Sequence, residues 1–243
     1  MMLRTTIFKT QKADPIHGFE LRGKEVKRIE TLSDAVFAFA VTLLIVSLEV
    51  PKTFEELLVS MRGFVAFAIC FTFLMLVWHE QNVFFRRYGL DDLTSVFLNG
   101  FLLFIVLFYV YPLKFLFSML FSEQIYPPGK NPFYMKDEQL PQLMLIYGVG
   151  YVAIYSIFFL LYLHASRKRL VLQLSRVELF DTWTRIYQQL IMIGIGLGSI
   201  LLALTLPLRQ AGASGLFYFM IGPVSWIIRW RRSVLRRHLL KQA

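Results

Sequence analysis

One cysteine, four histidines and 16 acidic residues in a chain of 243 leave little material for several kinds of chemistry. Cys70 lies inside an apolar run and has no second cysteine to pair with, so no internal disulfide is available. The histidines (His17, His79, His164, His238) do not fall at metal-ligand spacing. No nucleophile stands beside an evident base, so neither an enzyme activity nor a cofactor is expected. Charge is scarce too: 17 % of residues are charged, against about a quarter in a typical soluble domain. What fills the space is apolar. Hydrophobic residues make up 56 % of the chain and the mean hydropathy is +0.56. They fall in long uninterrupted runs, which suit helices that need about 20 apolar residues to span hydrocarbon. Barrel strands would alternate apolar and polar residues, and these runs do not. The pattern predicts an all-α membrane protein embedded in a lipid bilayer.

The net charge is +10. The basic residues sit at the ends of the apolar runs, where they set membrane orientation. No reading element or aromatic-basic platform accompanies them, so nucleic acid is not an expected partner.

Six spans are predicted. Residues 1–27 read as a polar N-terminal leader with no apolar signal region. The first span runs from about Arg28 to Glu49 and stops at Pro51. The next two cover about Phe54 to Phe85 and Asp92 to Phe121. A turn-rich loop with Pro127-Pro128-Gly129 follows. The fourth covers about Leu140 to Leu163, and a mixed basic stretch leads to the fifth, about Ile186 to Leu206. The sixth covers about Ala211 to Trp230, and residues 231–243 form a basic tail. With both ends inside, 20 of the 26 lysines and arginines lie on the inner side, which predicts cytoplasmic termini. Spans 1–3 show no repeat in spans 4–6, which counts against an inverted-repeat transporter.

The first span carries the most information. Arg28 and Asp34 stand at the mouth of an apolar run, where an ionisable residue is costly and points to function. Six positions on a helix separate them by about 9 Å of rise and about 120°. They pair poorly with each other, so each needs water or a partner on another helix. His79 at the end of span 2 and Asn99 early in span 3 fall at the same level. The plainer alternative is that both charges are interfacial and wet. Further along, Ala35, Phe39, Thr42, Val46 and Glu49 recur at spacings of four, three, four and three, and so share one face. Taken alone, such a stripe can equally pack against neighbouring helices.

The segment Arg28-x-x-x-Leu32-Ser33-Asp34, its alanine-rich continuation through Thr42, and the closing Leu48-Glu49-Val50-Pro51 resemble the transmembrane-protein-175 family of potassium channels. That family's signature is Arg-x-x-x-Phe-Ser-Asp at the start of span 1. The match covers about residues 28–51, and the six-span order is compatible with it. The resemblance implies a potassium-preferring channel in the cell membrane, a homotetramer built from single six-span units over residues 28–230, without the usual filter loop. Span 1 would line the pore. Arg28, Ser33 and Asp34 would belong to a polar network behind it, with His79 and Asn99 as partners. Four copies would stack a Phe39 ring as the gate, a Thr42 hydroxyl ring, a Val46 ring and an acidic Glu49 ring at the outer mouth. Departures are visible. Leu32 replaces the signature phenylalanine, Met75 stands where a tryptophan is usual, and Phe39 replaces a usual leucine or isoleucine. Proton conduction, weak cation selectivity and secondary transport stay open as alternatives.

Two other patterns read as packing. Val149-Gly150-Tyr151 echoes a potassium filter but sits in mid-span with no short pore helix before it. Gly194 and Gly198 form a small-xxx-small pair in span 5.

Overall fold

In the computed structural model of the chain, residues 19–46, 51–126 and 137–242 are described. Helix α1 spans Arg28–Val46, α2 Phe54–Tyr88, α3 Leu93–Leu120, and a single turn, α4, Ser122–Ile125. After the 3₁₀ turn Asp137–Gln139 come α5, Leu140–Arg167, and α6, Arg176–Thr205. A 3₁₀ segment, Leu208–Met220, leads into α7, Ile221–Gln242. All the described elements are helical.

Local chemistry fixes the boundaries. The Thr53 hydroxyl accepts from the Glu56 amide and starts α2. Gly89 ends it in the left-handed conformation, φ 58°, a cap that favours glycine. Helix α6 begins ten residues before the expected fifth span. Ser175 caps it, and Glu178 reaches back to the Ser175 amide in a reciprocal capping box. The end of the chain also departs from expectation. The Ala211-Gly212-Ala213-Ser214-Gly215 stretch, with two glycines in five residues, adopts the 3₁₀ path, and the α-helix starts only at Ile221 and continues through the basic tail.

Four helices, α2, α3, α5 and α6, are long and apolar enough to cross a membrane. Helix α1 has 19 residues, and Arg28, Glu30 and Asp34 occupy its first two turns. The outer faces of the bundle are strongly apolar. Phe97, Phe101, Phe104 and Phe108 form a ridge along α3, each more than half exposed, an apolar surface suited to hydrocarbon rather than to water.

Helices α1, α2 and α3 pack on one another, and α5, α6 and the 3₁₀ segment form a second group. The two groups meet mainly along α3 and α5. There the Tyr109 hydroxyl donates to the Tyr147 carbonyl at 2.6 Å, and the Tyr147 hydroxyl donates to the Pro112 carbonyl. Glycines allow the close approaches. A Cβ at Gly150 would fall 2.2 Å from the Tyr109 ring, one at Gly148 2.3 Å from Ile200, and one at Gly198 2.6 Å from Phe217. Gly150 is therefore a packing glycine. Of the expected pair, only Gly198 packs in this way. Gly194 faces open space, and Gly196, against Tyr151 and Val152, takes the second contact.

Candidate functional site

Helix α1 has two unlike faces. Ser33, Phe37, Ala40 and Leu44, spaced four, three and four, are all at most 2 % exposed. They pack into the core shared with α2 and α3. On the other side Ala35, Ala38, Phe39, Thr42 and Ile45 are exposed, Phe39 at 55 %. The Thr42 hydroxyl donates to the Ala38 carbonyl of its own helix at 2.9 Å. Val46 ends the helix, its side chain not among those described, and Glu49 lies outside the described residues.

The buried face is tied by a chain of hydrogen bonds through three helices. The Gln81 amide on α2 donates to Asn99 Oδ1 on α3 at 3.0 Å. Asn99 Nδ2 donates to Ser33 Oγ on α1 at 2.9 Å. Ser33 Oγ donates to the Ile29 carbonyl at 2.7 Å. All three side chains are essentially inaccessible to water, so each bond replaces one that water would otherwise make. The amide orientations follow from this donor and acceptor order.

One position away on α1, Asp34 is exposed and accepts a 2.7 Å bond from the Trp78 indole N–H. His79 is exposed and makes no hydrogen bond to Asp34 or Asn99. Arg28 is likewise exposed at the head of α1. The structure thus brings Ser33 and Asn99 together, joins Asp34 to Trp78 rather than to His79, and leaves Arg28 and His79 outside the cluster. Gln81 and Trp78 are the partners that the sequence did not single out. Their signal was a run of five polar or amphipathic residues, Trp78-His79-Glu80-Gln81-Asn82, late in an apolar helix. Which of the five faces inward depends on the rotation of α2.

Further ties hold the same end of the bundle. Glu80 accepts the Tyr162 hydroxyl at 2.8 Å and Gln189 at 3.2 Å, and pairs with Arg185 at 3.2 Å, joining α2 to α5 and α6. Asp92, which precedes α3, pairs with His164 at 2.9 Å and Lys168 at 3.2 Å and accepts from Ser95 at 2.9 Å. Burial pushes the Asp92 carboxyl up, but the bonds from Ser95, Lys168 and His164 outweigh it and lower its pKa to about 2. At the opposite end, Lys114 Nζ donates to the Leu44 carbonyl at 3.2 Å, satisfying an acceptor in the last turn of α1. Among the described residues no group of His, Cys, Asp and Glu is arranged to hold a metal ion.

Comparison with known proteins places this arrangement. The sequence profile of the family described as endosomal/lysosomal potassium channel TMEM175 matches residues 28–109, the stretch that holds α1, α2 and most of α3. A potassium channel of Marivirga tractuosa is 39 % identical over 234 residues, covering 92 % of this chain and 94 % of the relative. A potassium channel of Chamaesiphon minutus is 31 % identical over 108 residues, 41 % of this chain and 53 % of that protein. The crystal structure of a variant of the potassium channel MtTMEM175, in complex with a nanobody fusion protein, superposes with a TM-score of 0.79 at 37 % identity, over 90 % of this chain and 98 % of that one. A Chamaesiphon minutus homologue of the lysosomal potassium-selective channel TMEM175 shares the fold with a TM-score of 0.55 at 22 % identity, over 84 % of this chain and 96 % of that one. With near-complete coverage at this identity and the same helix arrangement, the chain belongs to the TMEM175 family.

Proposed function

We propose that this protein is a potassium-preferring cation channel of the cell membrane, a homotetramer in which α1 of each subunit lines a central pore. The observation that carries the reading is the two-faced α1: one face locked to its own subunit through Ser33, Asn99 and Gln81, the other offering Ala35, Phe39 and Thr42 to whatever lies outside. A helix so fixed presents a constant surface to the symmetry axis. Helices α2, α3, α5 and α6 would cross the membrane, with α1 and the segment from Leu208 into α7 completing six spans and both termini in the cytoplasm. The basic residues at the end that carries the Glu80 and Asp92 clusters would then face the cytoplasm.

In this arrangement four Phe39 rings close the pore as an apolar constriction, which excludes ions by dewetting. Thr42 supplies a hydroxyl ring, Val46 an aliphatic ring and Glu49 an acidic outer mouth that concentrates cations. Ser33 and Asn99, with Gln81, hold the pore helix from behind, and Asp34 with Trp78 fixes its rotation at the inner mouth. Arg28 and His79, exposed in a single subunit, would find partners only across subunits.

Reconstituted channels test this. Potassium efflux from liposomes and a bi-ionic reversal potential should show many ions per opening and a preference for potassium over sodium. Thr42→Ala should shift that preference while closure persists. A saturating, stoichiometric exchange would instead favour a carrier.

A further inference from the structure

The segment before α1 is built into the bundle rather than trailing from it. Phe19 is fully buried, edge-on to the Tyr88 ring at 5.6 Å, with the Arg22 and Arg87 guanidinium groups 5.7 and 5.1 Å from its ring centre. Arg22 grips both Glu178 oxygens at 3.0 Å and also donates to the carbonyls of Leu172 at 2.7 Å, Glu20 at 3.0 Å and Gln173 at 3.4 Å. These five contacts match the five N–H donors of a guanidinium. The Glu20 amide donates to Glu178 as well, at 2.9 Å. The backbone of Arg22 and Gly23 bonds to the carbonyls of Arg87 and Arg86 at the end of α2. A Cβ at Gly89 would fall 2.9 Å from the Arg22 backbone, so the strap lies directly on the α2 cap. Lys27 then donates to the Gly89 carbonyl at 2.6 Å and pairs with Asp91 at 2.9 Å, and α1 starts at the next residue.

We propose that the strap from Phe19 to Lys27 is a latch that sets the resting position of α1, with the Arg22–Glu178 clasp as its closure. Arg22 and Glu178 are positioning residues: they touch no permeating ion and act through the orientation of the pore helix. The strap joins the first turn of α1 to the ends of α2 and α6 and to the loop after α5. A movement of those ends is therefore transmitted to α1 through the strap, which Phe19 seats on the core. The Arg22 and Glu178 side chains are 15 % and 6 % exposed, so the clasp is shielded and its two charges depend on each other. This proposal rests on the reading of α1 as the pore helix.

The test is potassium efflux from liposomes containing the full-length protein, with thermal midpoint and oligomer size recorded for each variant. Arg22→Ala removes the clasp. Glu178→Gln weakens it while keeping a side chain that still completes the α6 capping box. Each should raise basal efflux about fivefold or more, the lower end of typical coupling between distant sites. The double variant should rise no further than either single one. Arg22→Ala added to Phe39→Ala should add nothing, because the constriction that the strap controls is already gone. Unchanged efflux in correctly assembled Arg22→Ala and Glu178→Gln, beside a raised efflux in Phe39→Ala, overturns the latch and leaves the pore reading intact. Unchanged efflux in Phe39→Ala is instead the failure of the pore reading. If even Glu178→Gln does not assemble, the clasp is an element of the fold and the latch is refuted.

Discussion

Phe37 and Phe39 stand two residues apart on one helix and face opposite ways. Phe37 is 2 % exposed, in the core with Ala40 and Leu44, whereas Phe39 is 55 % exposed. Two steps of 100° turn a side chain by 200°, so one helix serves packing with one phenylalanine and leaves the other unused within the subunit. The same residue type thus takes a structural role on one face and, in our reading, a conducting role on the other.

Variants on the two faces should separate cleanly. Ranked by effect on stability, Phe37→Ala comes first. It empties a filled core site, at about 3–5 kcal/mol, and should sharply lower the thermal midpoint and the yield of assembled protein. Asn99→Ala comes next. It strands the Gln81 amide, at about 1–3 kcal/mol for a buried group left unsatisfied, and Ser33 loses a donor. Replacing Asn99 by Asp should restore less than a full partner, because a carboxylate cannot donate to Ser33. Detergent unfolding curves of the three proteins check the order.

Acid probes a third site. The Asp92 pKa is lowered to about 2, so its contribution is fully present above the unfolded carboxylate value near 4. It is lost as pH falls through that value towards 2. Asp92→Asn should therefore flatten the loss of stability between about pH 4 and pH 2, seen as a smaller drop in thermal midpoint than in the unmodified protein. Asp34→Ala should cost less than Asn99→Ala in stability. Asp34 is exposed and loses one bond to Trp78, whereas Asn99 is enclosed on all sides. Equal costs would mean that Asp34 is enclosed in the assembled channel.

Much of this was legible beforehand, for identifiable reasons. Apolar runs with basic ends set the approximate course of α2, α3 and α5, because chain length and hydropathy are local properties. Asn99 stood out as a polar residue at the level of the α1 mouth, and Ser33 came from the family resemblance; the two lie 2.9 Å apart. The rotation of α2 was not legible. His79 and Gln81 lie 200° apart, so only one of them can face inward, and the helix turns Gln81 inward. That choice is made by packing against α1 and α3, which leaves no mark on local sequence. The early start of α6 did leave one: Ser175-Arg176-Val177-Glu178 is a capping box in plain sight, masked by the basic stretch before it. The strap was hidden because Phe19 and Arg22 sit in polar surroundings, and their partners lie about 70 and 150 residues away.

The most direct test compares the two phenylalanines by flux. Phe39→Ala should assemble with a thermal midpoint close to that of the unmodified protein and give a markedly higher basal potassium efflux from liposomes, because the apolar constriction is opened while the tied face is untouched. An assembled Phe39→Ala protein with unchanged efflux would contradict the account and move the constriction off this face of α1.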